Sequence, residues 1–124
     1  MLYIGSILLV LIGFVHSILG EKYILIRLFR RDNLPQLLGS DWFTKRVLRF
    51  AWHLTTIAWW GFAGILYVYA GSGATTETEV LFITGLVFLV SGLLSASFTK
   101  GKHLSWLVFW LIAGICFYVA ASGQ

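Results

Sequence analysis

Acid is what this chain lacks most: Asp and Glu number five in 124 residues, and all charged residues together make up 11%. A soluble domain carries about 25% charged residues. A chain that is 59% hydrophobic, with a mean hydropathy of +0.88, falls outside that class. A single cysteine, Cys116, excludes an internal disulfide and leaves the redox compartment undefined. The single proline, Pro35, lies outside every long apolar run, so no spanning helix carries an evident break of the kind at which transporters bind substrate on unwound backbone. Every acid lies at a boundary or in a loop, and there is neither an H-E-x-x-H run nor a convincing Ser and His pair, which argues against an enzyme. Small four-span drug exporters depend on an acid inside the membrane, and that requirement is not met here.

What the chain does have is four charge-free apolar runs, residues 2–20, 50–76, 80–99 and 103–124. Each supplies the ~20 residues that a hydrocarbon core demands. The expected fold is an all-α integral membrane protein forming a single domain over residues 1–124, with spans at about 2–20, 48–71, 79–98 and 103–122 and an insert at 21–47. The first run has no basic segment before it, so it reads as a retained helix and not as a signal peptide.

The basic residues are one-sided. Lys22, Arg27, Arg30, Arg31, Lys45, Arg46 and Arg49 fall between the first and second spans, and Lys100 and Lys102 between the third and fourth. The opposite loop holds only Glu77 and Glu79, so the basic side belongs in the cytoplasm and both termini on the other side, as in a bacterial inner membrane. The pI near 9.5 thus reports topology, and no nucleic-acid partner is expected. Within the insert, Lys22 to Arg31 is expected to continue as an amphipathic helix lying in the interface plane. Ile24, Leu25, Leu28 and Phe29 form its apolar side, while Lys22, Arg27, Arg30 and Arg31 face anionic lipid headgroups. A turn around Pro35 and Gly39 follows, and Asp41 is the expected N-cap of a helix starting near Trp42.

One stretch occurs twice. His53 to Gly73 aligns without a gap on His103 to Gly123, with nine identities in twenty-one positions, where composition alone gives roughly two or three. Shared residues fall on one helical stripe, His53, Trp60 and Gly64 in the first copy and His103, Trp110 and Gly114 in the second. We read the chain as two parallel-repeat hairpins with a pseudo-two-fold axis along the membrane normal. The first and third spans align weakly: placing Gly92 on Gly13 sets Ser95 opposite His16. Gly13 and Ser17 make a small-residue face suited to close helix contact. Packing suffices to explain the repeated Trp and Gly, whereas a structural and a functional role are both open for the paired histidines.

The candidate chemistry is confined to His16, His53, His103 and Glu21, all expected near one depth on the basic side. Histidine titrates near neutral pH and binds transition metals, and polar side chains inside a membrane are functional candidates by default. Three classes follow: proton or metal-ion transport or binding through these four residues; a b-type cytochrome subunit with two His ligands on a haem; or a structural or assembly subunit without chemistry of its own. Expected partners are the lipid bilayer and a homo-oligomer or larger membrane complex. A reporter active only in the cytoplasm, fused after Gln124, is expected to stay silent; activity there would overturn the orientation.

Overall fold

The computed structural model describes residues 1–72 and 77–122. Helix α1 runs from Leu2 to Leu28 as an α-helix over Leu2–Leu19, a π-helical stretch over Gly20–Leu25 and a last α turn over Ile26–Leu28. Helix α2 spans Trp42–Ser72, α3 Glu77–Thr99 and α4 Ser105–Ser122. All four are long and apolar enough to cross a membrane, and no strand occurs among the described residues. The middle of the opposite loop, residues 73–76, and the end of the second repeat copy, residues 123–124, lie outside the described residues.

The first span ends near residue 20 as a stretch of regular α-helix, and the helix expected beyond it is continuous with it as far as Leu28. Nothing between Gly20 and Leu28 interrupts a helix, and the π turn absorbs the change in hydrogen-bond register, with the Ile26 N–H donating to the Glu21 carbonyl. Lys22 and Arg27 therefore sit on α1 itself, where both flank the Tyr23 ring at 5.3 and 5.5 Å, and Leu25 is buried. The second helix starts at Trp42 as expected, but the side chain that caps it differs. Asp41 turns its carboxylate to Lys45, and the Trp42 N–H donates instead to Ser40 Oγ at 3.4 Å. Between α1 and α2, Leu38 and Gly39 both take positive φ, 57° and 85°, while Leu37 and Ser40 exchange backbone hydrogen bonds. This is the geometry of a tight primed turn.

Polarity runs inside out. Large apolar side chains such as Ile7, Leu8, Leu11, Ile18, Leu107 and Leu111 are exposed, while Ser95 and Thr99 are each 0% exposed and Thr56 and Ser91 are buried, as are Leu25, Ala63 and Ala113. Lipid tails are as apolar as leucine, so sequestering leucine gains little; van der Waals contact and internal hydrogen bonds must hold the helices together. Some of the small hydroxyls serve that end, while others only satisfy themselves on their own helix. Ser91 and Thr99 donate back to the carbonyls of Val87 and Ser95 on their own helix, and Ser6 on α1 donates to the Ala63 carbonyl of α2 at 2.8 Å.

The helices pack in chain order, α1 on α2, α2 on α3 and α3 on α4; among the described residues the backbones of α1 and α4 do not approach each other. At three places an indole packs against a glycine and donates to a carbonyl of the facing helix. Trp52 covers Gly20 and donates to His16 at 3.2 Å, Trp60 covers Gly13 and donates to Val10 at 3.3 Å, and Trp110 covers Gly92 and donates to Leu89 at 3.4 Å. A β-carbon on Gly13 would lie 2.5 Å from the Trp60 nitrogen. Glycine is required there because the ring occupies the space of the side chain. Aromatic edges close both pairs at the far end, Tyr3 on Tyr67 and Phe82 on Phe117, each with centroids 5.5 Å apart.

These contacts separate Gly92, which lies under the Trp110 indole, from Gly114 of the repeated stripe. Gly92→Ala should lower the thermal midpoint in detergent, since overpacking costs about 1–3 kcal/mol and displaces an indole hydrogen bond worth about 1 kcal/mol. Gly114, with no heavy atom within 4 Å of an added β-carbon, should tolerate alanine without loss.

Candidate functional site

The site forms where α1 crosses α2 at the basic end. Positions four apart on a regular α-helix drift by about 40° per step, so Ser17, Glu21 and Leu25 would wind away from α2. The π stretch takes up that drift and brings the Glu21 carboxylate against α2, where Arg49, His53 and Thr56 share one stripe. Gly20 lets the turn lie against Trp52, whose indole takes up the carbonyl of His16 just before the π stretch begins.

Glu21 is held from two sides. Arg49 approaches in a fork, Nη2 at 2.8 Å from Oε1 and Nε at 3.2 Å from Oε2, and His53 Nε2 lies 3.2 Å from Oε2. Because the carboxylate only accepts, His53 Nε2 carries a hydrogen and donates. The opposite ring nitrogen, Nδ1, is 2.8 Å from Ser17 Oγ, and Ser17 Oγ is 2.9 Å from Thr56 Oγ1. Thr56 Oγ1 ends the series with a long 3.5 Å approach to the Gly13 carbonyl. Phe98 of α3 stacks over the His53 ring at 6.4 Å, and Arg49 lies over Phe29 at 4.9 Å. Glu21 and Arg49 remain about one third exposed, so the pair is worth more than a free surface bridge and less than a buried one, on the order of 1–2 kcal/mol.

Of the four expected residues, this brings two together. His16 lies across the seam from His53, stacked on Trp52 at 4.6 Å with the rings parallel and tilted on Trp59 at 4.9 Å. The Thr55 hydroxyl donates to the Trp52 carbonyl, so His16 Nε2 donates to Thr55 Oγ1 at 2.9 Å. His103 caps the start of α4: its Nδ1 meets Ser105 Oγ at 2.8 Å and accepts from the Ser105 N–H at 3.4 Å, while Phe43 and Phe50 flank the ring. No hydrogen bond or ring contact joins any two of these histidines among the described residues. Nor do three His, Cys, Asp or Glu side chains there gather as metal ligands. The expectation of one shared space lined by His16, His53, His103 and Glu21 is thus replaced by a Glu21–His53 pair with two histidines held apart. Ser17, Arg49 and Thr56 complete the site and were not expected in it. The spacing of Arg49, His53 and Thr56, four and then three residues, is the pattern that would have pointed to them. No family model, curated protein or solved structure matches this chain.

Proposed function

We propose that this chain binds and moves protons through Glu21 and His53 at the basic end of the α1–α2 seam. The observation that carries the reading is the continuous series Glu21, His53, Ser17, Thr56 and Gly13 carbonyl, because it is complete in either protonation state of the imidazole. With His53 neutral, Thr56 donates to Ser17, Ser17 to Nδ1, and Nε2 to Glu21. With His53 charged, Nδ1 donates to Ser17, Ser17 to Thr56, and Thr56 to the Gly13 carbonyl. A proton added at Nδ1, the nitrogen facing Ser17, therefore reverses the two hydroxyls without stranding a donor, while Nε2 keeps its hydrogen on Glu21. Metal or haem ligation finds less support, since both nitrogens of His53 are already engaged and a metal would have to displace Ser17 or Glu21. A structural or assembly subunit is the second reading, favoured by how fully these polar groups are satisfied within the chain.

Two further proposals frame this one. The basic end belongs in the cytoplasm of a bacterial inner membrane, supported by the one-sided placement of Lys and Arg, and the Lys22, Arg27, Arg30 and Arg31 face belongs against anionic headgroups. The two hairpins arose by duplication. Adding 79 to residues of α1 and 50 to residues of α2 turns the Trp60, Gly13 and Val10 contact into that of Trp110, Gly92 and Leu89. The same shifts carry Tyr3 and Tyr67 to Phe82 and Phe117, and the His16–Thr55 hydrogen bond to that of Ser95 and Ser105.

Liposomes holding the purified protein and an internal pH dye, driven by a potassium diffusion potential, test the proton reading. Glu21→Gln, His53→Gln and Thr56→Val should each cut the flux about tenfold or more, the factor that corresponds to about 1.4 kcal/mol. His16→Gln should leave it unchanged. Flux no greater than in empty liposomes, or insensitive to His53, would favour the structural subunit.

A further inference from the structure

A second polar cluster, away from Glu21 and His53, gathers at the same end around a single indole. The guanidinium of Arg46 lies 5.7 Å from the Trp42 ring centroid, the Lys100 ammonium 5.7 Å and the Lys102 ammonium 5.1 Å. These cations come from two places far apart in sequence, the first turns of α2 and the connection between α3 and α4. No carboxylate pairs with any of them among the described residues: Asp41 is taken by Lys45 and Glu21 by Arg49 and His53. One aromatic face attracts a cation, but three around the same ring repel one another.

The backbone adds an independent sign. Helix α3 closes with the Gly101 N–H on the Ala96 carbonyl at 2.9 Å and the Lys100 N–H on the Ser97 carbonyl at 3.4 Å. That pairing places Lys100 at the left-handed position after the helix, φ 52°, where glycine is the usual residue. A lysine there is strained, and strain of this kind collects where a side chain has work to do. From that position the Lys100 ammonium reaches the Trp42 ring, while Gly101, with φ 74°, follows at no steric cost.

We propose that Trp42, Arg46, Lys100 and Lys102 form a discrete site for the phosphate of an anionic phospholipid headgroup. A phosphate among the three ammonium and guanidinium groups neutralises their repulsion and accepts hydrogen bonds from each. Trp42 is the first residue of α2, and Lys100 directly follows the last residue of α3. Both therefore stand at helix ends, at headgroup height, where indoles settle and basic pockets between spanning helices hold lipid phosphates. The site rests on the membrane placement of the helices and is independent of the proton reading. It is also distinct from Lys22 and Arg27, which flank Tyr23 on α1.

Native mass spectrometry of the full chain in neutral detergent, titrated with phosphatidylglycerol or phosphatidylcholine, tests the proposal. The protein should retain phosphatidylglycerol in clear preference. Each lysine removed should weaken that binding by about fivefold, so Lys100→Gly combined with Lys102→Gln should lose roughly twenty-five-fold. Lys100→Gly alone should raise the thermal midpoint, because it relieves the left-handed lysine, so its loss of lipid cannot be blamed on misfolding. Equal retention of the two lipids would overturn the site, as would an affinity for phosphatidylglycerol that is unchanged in the double variant. A preference lost only in Arg27→Gln, Arg30→Gln, Arg31→Gln would move the lipid to α1, and inorganic phosphate displacing the lipid at equal concentration would make this an anion site and not a lipid site.

Discussion

A carboxylate at the edge of a hydrocarbon layer is stable only where cations and donors meet it, and the arrangement at the basic end follows from how this chain meets that demand. Glu21 reaches Arg49 and His53 because α1 leaves the regular α register at Gly20. The register change in turn needs a surface to lie against, which the Trp52 indole supplies by covering Gly20 and taking the His16 carbonyl. A regular helix through this stretch would rotate Glu21 off the seam. The π stretch, the glycine and the indole thus act together to place one charge.

The same economy governs the rest of the packing. With little to gain from burying leucine against leucine in lipid, the helices approach where side chains are smallest, and the contacts that hold them are hydroxyl and indole hydrogen bonds to backbone carbonyls. Trp60 and Trp110 show the pattern in each hairpin. The α2–α3 contact uses glycine differently: Val87 fills the space at Gly61, and Ile83 rests on Gly64. Gly114 occupies the same place in the repeated stripe as Gly64 but meets nothing. Residues that look alike in the repeat therefore have different neighbours, because α2 lies between two helices while α4 lies at the end of the series.

Much of this was legible from residue type alone. Runs without charge announced four helices long and apolar enough to span a membrane, to within a few residues at most of their ends, because an apolar run of that length satisfies its own backbone in lipid as a helix. Helix beyond Glu21 was legible from the apolar and basic sides of residues 22–31, but the π stretch that joins it to the first span without a break was not. Depth along the chain was readable from the positions of His16, His53 and His103, but direction around a helix was not. The π stretch turned Glu21 toward α2, and stacking on Trp52 drew His16 to the opposite side of the seam. His103, just ahead of α4, was taken up in capping that helix.

The central claim is that Glu21 and His53 share one hydrogen bond across the α1–α2 seam, and a double-mutant cycle measures that bond directly. Unfolding free energies in mild detergent would be compared for the native chain, Glu21→Gln, His53→Gln and the two together. A coupling of about 1–2 kcal/mol is predicted, within the range found for residues in one hydrogen-bonded network. Strictly additive effects would mean that the two side chains act apart, and the proton relay built on their contact would fall with it.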